Sequence, residues 1–165
     1  MSLCMERRSV RKYDLKTVED EKIKALLTSA MQAPSARNQQ PWEFIVIKNK
    51  ALLTKLSQVS RGAHMLAQAP LCILTCFKED VLAPHMRPLD LAAATQNILL
   101  EATYQGLGAV WIGIYPLEER VENIKKIIDI PSHLTPFSLI AIGYPDEETD
   151  IKNVRYDQTR VHEIL

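Results

Sequence analysis

The densest cluster of chemistry-bearing side chains lies near the N-terminus, in Arg7-Arg8-Ser9-Val10-Arg11-Lys12-Tyr13-Asp14. Arg7, Arg8, Arg11 and Lys12 stand within six residues, with the Ser9 hydroxyl among them. Guanidinium forks grip phosphate oxygens bidentately and a hydroxyl adds a donor, so the local chemistry suits a phosphate group. Taken alone, the stretch also fits a solvated basic run ahead of a helix. A nucleic-acid contact would need a basic stripe to continue it, and the rest of the chain offers none. A second cluster is Pro34-Ser35-Ala36-Arg37-Asn38-Gln39-Gln40-Pro41-Trp42. Amides and a hydroxyl are held there between prolines. A planar heterocycle with alternating donors and acceptors, such as a pyrimidine or flavin ring, calls for such groups. The plainer reading is a helix-to-strand connection in which Asn38 and Gln39 serve local turns.

Two further stretches carry less. Gly106-Leu107-Gly108-Ala109-Val110-Trp111-Ile112-Gly113 looks like a dinucleotide fingerprint but has Trp111 where the third glycine belongs. Its glycines also end a helix instead of opening one, so no helix N-terminus is offered to a pyrophosphate. Gly113 within a strand would let a ligand approach the backbone. Lys152-Asn153-Val154-Arg155 reads by itself as surface charge. His64, His85, His133 and His162 have no short spacing to one another or to a cysteine, which argues against a metal site. No serine-hydrolase elbow and no phosphate-binding P-loop occurs.

These clusters must be positioned by alternating helices and strands. After Thr17, a potential cap, Ile23, Leu26, Leu27, Ala30 and Met31 share one helical face until Pro34 stops it. Residues 42–48 read as a strand, and 51–59 as a short helix with Leu52, Leu53, Leu56 and Val59 inward. Leu71 to Phe77 has the unbroken apolarity of a buried strand. Residues 89–105 form a long helix, apolar most of the way round, that needs cover on nearly all sides; a second subunit is one source. Gly106-Leu107-Gly108 ends it. A strand over 109–114, a helix after Pro116 with Val121, Ile124, Ile127 and Ile128 on one side, and a strand over 137–144 complete the pattern. The polar tail from Asp146 suggests an arm laid on a partner. Such alternation predicts one layered domain spanning residues 1–165 around a single modest sheet.

Composition supports this. The 165 residues are 47% hydrophobic and 24% charged with zero formal net charge, so nothing global draws nucleic acid or an anionic membrane. No apolar run is long enough for a membrane span, and the N-terminus does not read as a secretory signal. Cys72 and Cys76 fall too far apart along one strand to pair, so the expectation is reduced thiols in a cytoplasmic protein.

In order, RRSVRKYD, AMQAPSARNQQPWEFIVI, QNILLEATYQGLGAVWIGIYP, IAIGYP and KNVRYDQTRVHEI resemble the FMN-binding nitroreductase family across nearly the whole chain. The resemblance implies an α+β fold, three-layer α/β/α, with a central mixed, mainly antiparallel sheet. It implies a homodimer with an exchanged C-terminal arm and the long helix buried between subunits. Arg7 and Ser9 would contact the FMN phosphate with Arg8 alongside, and Arg11 would face the ribityl chain and the N1–O2 edge. Pro34, Ser35, Ala36, Asn38 and Gln40 would reach the ring from the other subunit. Ile112 and Gly113 would line its far side near N5, and Lys152 and Arg155 would close on the phosphate. No catalytic side chain is implied: the flavin takes hydride from NADH or NADPH and passes it to a small oxidant, a nitroaromatic or quinone, in a ping-pong cycle. The alternative is an FMN carrier or sensor without turnover. Residues 61–89 are short for the family's lid, and some relatives carry an acidic residue where Gly113 stands.

Overall fold

The computed structural model describes residues 2–146 and 155–164. Four strands form its sheet: β1 (Trp42–Ile47), β2 (Leu71–Lys78), β3 (Gly108–Gly113) and β4 (Leu134–Gly143). Their spatial order is β1-β2-β4-β3, with all three pairings antiparallel. The parallel contribution to the expected mixed sheet is an isolated bridge between Ser9 and Ala109. β2 and β4 are central and buried almost throughout, which is why their sequences run apolar without alternation. Cys72 and Cys76 lie inside β2, where burial pushes both thiols up to about 12. They behave as small hydrophobes.

Helices cover both faces, giving the expected three layers. Besides a single N-terminal turn, α1 (Leu3–Glu6), the helices are α2 (Asp20–Met31), α3 (Lys50–Leu56), α4 (Arg87–Tyr104) and α5 (Glu118–Ile127). On one face α3, α5 and a 3₁₀ segment, Arg61–Ala67, bury Leu53, Leu56, Leu66 and Ile124 against Val110, Ile112 and Leu139. On the other, α2 and α4 bury Leu26, Leu91 and Ile98 against Trp42, Ile73 and Ile140.

Several boundaries differ from the sequence expectation. Thr17 caps nothing: α2 begins at Asp20, preceded by Glu19, which makes no side-chain cap bond. The Glu19 carboxylate instead accepts a 2.6 Å hydrogen bond from the Tyr144 hydroxyl. That bond, ahead of backbone and Lys16 contributions, holds its pKa at about 2. Met31, expected inward, is half exposed, because it extends the Leu27 flank of α2, which the core covers only partly. α5 opens at Glu118, not Pro116, and β4 begins three residues early, at Leu134.

The end of α4 is built as anticipated. Gly106 takes φ +71°, Leu107 N–H donates to Ala102 O at 2.7 Å and Gly106 N–H to Thr103 O at 3.1 Å. This double closure satisfies carbonyls of the last turn and reverses the chain into β3. Within the chain, α4 buries Asp90, Leu91, Ala94, Thr95, Ile98, Leu99 and Ala102. Leu89, Ala93, Gln96, Leu100 and Tyr104 form a second stripe at helical spacing that is only partly covered, with Leu89 and Tyr104 exposed.

Candidate functional site

The basic N-terminal segment is an extended strap, laid over one end of the sheet and fastened by its main chain. Val10 N–H donates to Ala109 O at 3.1 Å, Asp14 N–H to Tyr144 O at 2.9 Å, and Lys12 O accepts from Asp146 N–H at 3.1 Å. Two glycines paired across β3 and β4, Gly108 and Gly143, make the room. A Cβ on Gly108 would stand 2.6 Å from Val10 Cγ1, and one on Gly143 would stand 2.7 Å from Pro70 Cδ and 3.0 Å from Tyr13 Cδ1. The Tyr13 hydroxyl lies 2.6 Å from Val10 O and 3.1 Å from Ala141 O, pinning the strap through a buried ring. With Val10 and Tyr13 turned inward, Ser9, Arg11 and Lys12 are exposed, and Arg7 and Arg8 are half-buried. Arg8 is partly spent locally, donating to Met5 O and Arg7 O. Arg11 donates to Ser9 O at 3.3 Å.

The strap leads onto the open edge of β3. Because Ala109 O meets Val10, the alternation of an antiparallel ladder turns the main-chain groups of Trp111 and Gly113 to the same open side. Ile112 is committed inward: its side chain is buried with Val110 and Leu139, and its main chain faces β4. Around Gly113 no atom lies within 4 Å of where a Cβ would be, so that side is open. Its carbonyl accepts a 2.7 Å bond from Arg120 Nη1, a residue of the first turn of α5 that the sequence reading did not single out. Past Gly113 a cavity of about 360 Å³ opens between Phe77, Tyr115, Pro116, Arg87, Glu79 and Val121. Its Arg87 and Thr135 both bind the Glu79 carboxylate. Partial burial would raise the Glu79 pKa, but these two bonds outweigh it and leave it lowered.

The loop after α2 is held differently. Arg37, Asn38 and Gln40 all take positive φ, 53°, 52° and 45°, a left-handed conformation costly to side-chain-bearing residues and least so for asparagine. What holds it is Asp90, buried in the first turn of α4. Asp90 Oδ1 accepts from Ala36 N–H at 2.9 Å, and Oδ2 from Gln39 Nε2 at 2.6 Å. Gln39 Oε1 in turn accepts from Ala83 N–H at 2.8 Å. Ser35 Oγ accepts from Gln40 N–H at 3.0 Å, and Gln40 Nε2 donates to Asn38 Oδ1 at 3.1 Å. Asn38 and Gln40 are thereby exposed, with Ser35 and Ala36 half-buried behind them and Pro34 at the entry. The signal for Asp90 was present in the sequence: a carboxylate on the inward stripe of an apolar helix requires donors, and the amide-rich loop supplies them.

Within one chain the predicted residues fall into two groups. Arg7, Arg8, Ser9, Arg11 and Gly113 line the strap and the β3 edge. Pro34, Ser35, Ala36, Asn38 and Gln40 lead into β1, the opposite edge of the sheet, three strand spacings or about 14 Å away. The strap and the loop also sit at opposite ends of α4: Asp90 holds the loop, the strap docks just past Tyr104, and the intervening helix measures about 21 Å. Gly113, in register with Ser138, Thr75 and Phe44, lies toward the loop's end of the sheet. Arg155 is exposed in the tail, and Lys152 lies outside the described residues. Among the described residues no helix is long and apolar enough to cross a membrane, and no cluster of His, Cys, Asp and Glu could hold a metal ion.

By fold and site the chain falls in the class of three-layer α+β proteins that carry a cationic strap beside an open sheet edge. The family model described as the nitroreductase family matches residues 4–64 and 57–144, and the chain belongs to that family. It is 43% identical over 157 residues to a Methanothermobacter thermautotrophicus protein named as a candidate NADH dehydrogenase/NAD(P)H nitroreductase, covering 94% of this chain and 82% of that one. Among solved structures, a candidate NADH oxidase from Clostridium acetobutylicum superposes with a TM-score of 0.94 at 47% identity, covering 98% of each chain. An FMN-dependent nitroreductase from Clostridium difficile superposes with a TM-score of 0.91 at 32% identity, covering 98% of this chain and 97% of that one.

Proposed function

We propose that this chain is an NAD(P)H-dependent FMN oxidoreductase acting as a homodimer, alternately taking a reduced nicotinamide and a small oxidant, a nitroaromatic or a quinone, into one pocket. The observation that carries the reading is the pairing of a cationic strap with an open β3 edge that bears no side chain at Gly113. These residues fit FMN: Arg7, Arg8 and Ser9 offer phosphate donors, Arg11 a cation for the ribityl and N1–O2 side, and Gly113 an unobstructed approach for a flat ring. When bound, FMN would supply two-electron chemistry between NAD(P)H and the oxidant. The chain's own part is to bind, orient and polarise.

The second half of the site is drawn from a partner. A two-fold pairing of α4 stripes through Leu89, Ala93, Leu100 and Tyr104 would set the N-terminal end of one helix beside the C-terminal end of the other. The loop of one chain, with Pro34, Ser35, Ala36, Asn38 and Gln40, then meets the strap of its partner. Lys152 and Arg155 add cations from the tail. The cavity beyond Gly113 gives room for the oxidant or the nicotinamide, next to the 79–86 connection.

The test is direct. The purified protein is expected to be yellow, to carry one FMN per chain, and to oxidise NADH or NADPH faster when a nitrofuran or quinone is added. Stoichiometric FMN without turnover would favour a carrier or sensor. Protein that takes up no FMN when offered it would end the proposal.

A further inference from the structure

We infer that Asp90 is the positioning residue of the loop that faces the flavin, acting through Gln39. The inference rests on the functional reading above and adds to it a residue outside the binding surface. Three residues in the left-handed region within a four-residue stretch would relax if nothing opposed them. Beside the local bonds of Ser35 and Asn38, what opposes them is a buried carboxylate, each of whose oxygens is engaged. Asp90 Oδ1 fixes the main chain at Ala36, just before the distorted residues, and Oδ2 fixes the side chain of Gln39, in their midst. Gln39 extends the clamp to the 79–86 connection, its amide oxygen accepting from Ala83 N–H and its nitrogen donating to Ala83 O at 3.2 Å. The carboxylate belongs to the first turn of α4, so the orientation of Asn38 and Gln40 is set from that helix. An acid there is also favoured by the positive end of the helix dipole.

The donor pattern makes the clamp testable by exchange of roles. Asp90→Asn keeps the shape but turns an amide nitrogen toward the Gln39 nitrogen or the Ala36 N–H, so one bond must be lost. Gln39→Glu alone sets two carboxylates against each other. Together, Asp90→Asn and Gln39→Glu restore acceptor to Ala36 N–H, donor to Glu, and acceptor to Ala83 N–H; the cost is the 3.2 Å bond to Ala83 O, which becomes a contact between two acceptor oxygens. In the full-length holoprotein, Asp90→Asn should weaken FMN binding about tenfold, as loss of a hydrogen bond to a charged group does. Gln39→Glu should weaken it more, and the double variant should return to within about threefold of the starting protein. The visible circular dichroism of the bound flavin should follow the same order, which a general loss of stability would not produce. Wild-type affinity in Asp90→Asn, or a double variant as weak as the worse single one, would overturn the assignment while leaving the functional reading intact. Hydrogen exchange at the Ala36 and Ala83 amides, slow in the starting protein, fast in Asp90→Asn and slow again in the double variant, tests the clamp independently of flavin. If the unaltered chain binds no FMN, both proposals fall.

Discussion

The strap and the loop carry the two halves of the candidate site, and they are immobilised by opposite means. The strap is held through its main chain and two inward side chains, Val10 and Tyr13, in cavities that Gly108 and Gly143 leave for them. Its backbone stays in ordinary regions of φ, and Arg11 and Lys12 are exposed on its outer side. The loop is held through side chains, Asp90, Gln39 and Ser35, and its main chain is what departs from the ordinary. Geometry explains the division. The strap docks on a strand edge that already offers main-chain partners, whereas the loop has no strand beside it and must borrow polar groups from a helix end. The strap should therefore be sensitive to volume at its glycines, and the loop to polarity and backbone freedom.

The largest effect is expected at Gly108. Gly108→Ala would place a methyl against Val10 at overlap distance. Crowding of that kind costs about 1–3 kcal/mol. Lifting the strap would also withdraw the phosphate donors, each worth about 1.5–3 kcal/mol, so FMN affinity should fall by about a hundredfold or more. Gly113→Ala is the control for the volume argument, since its methyl meets nothing and stability should change by no more than about 0.5 kcal/mol. Equal stability losses at the two glycines, measured by thermal unfolding without flavin, would break the comparison.

How far the sequence revealed this division depended on which kind of contact was at work. The layers, the four strands and the stop at Gly106 were legible because they follow from apolar periodicity and backbone freedom. The strap was legible as a cluster of cations, yet the reason it lies flat was not, because the crowding at Gly108 by Val10 joins residues far apart in the chain. Thr17 and Glu19 show the reverse failure. The local cap signal at Thr17 goes unused, because α2 begins at Asp20; the Glu19 carboxylate at the cap position is bonded to the distant Tyr144 hydroxyl instead of the helix end. The loop was recognised by its amides, but Gln39 turns inward while Asn38 and Gln40 stay exposed. That choice is made by Asp90, a single buried acid in a helix whose apolar residues set the pattern.

A middle-sized effect tests whether the halves meet across chains. A mixed dimer of one Arg11→Ala chain and one Asn38→Ala chain has a definite outcome if each flavin takes its strap from one chain and its loop from the other. One site then keeps both residues and the other lacks both. Flavin titration should show one site of unaltered affinity per dimer, and a second weakened by more than about tenfold. Two sites that are both weakened, one for want of Arg11 and the other of Asn38, would mean that strap and loop serve the same flavin within one chain.

The smallest effect addresses the backbone itself. Arg37 stands in the left-handed region, where a Cβ costs about 1 kcal/mol or more and glycine is at ease. Arg37→Gly should therefore raise the melting temperature of the flavin-free protein, by about 1–2 °C for a net gain of about 0.5 kcal/mol once the added freedom of the unfolded chain is subtracted. The same exchange in the strap should do the opposite. Lys12 is exposed and has no positive φ to relieve, so Lys12→Gly only adds freedom to the unfolded chain and should cost about 0.5–1 kcal/mol. The sign of the two shifts matters more than their size. If glycine destabilises both positions, the clamp at Asp90 is not opposing a cost in the loop, and the contrast between a relaxed strap and a constrained loop is lost.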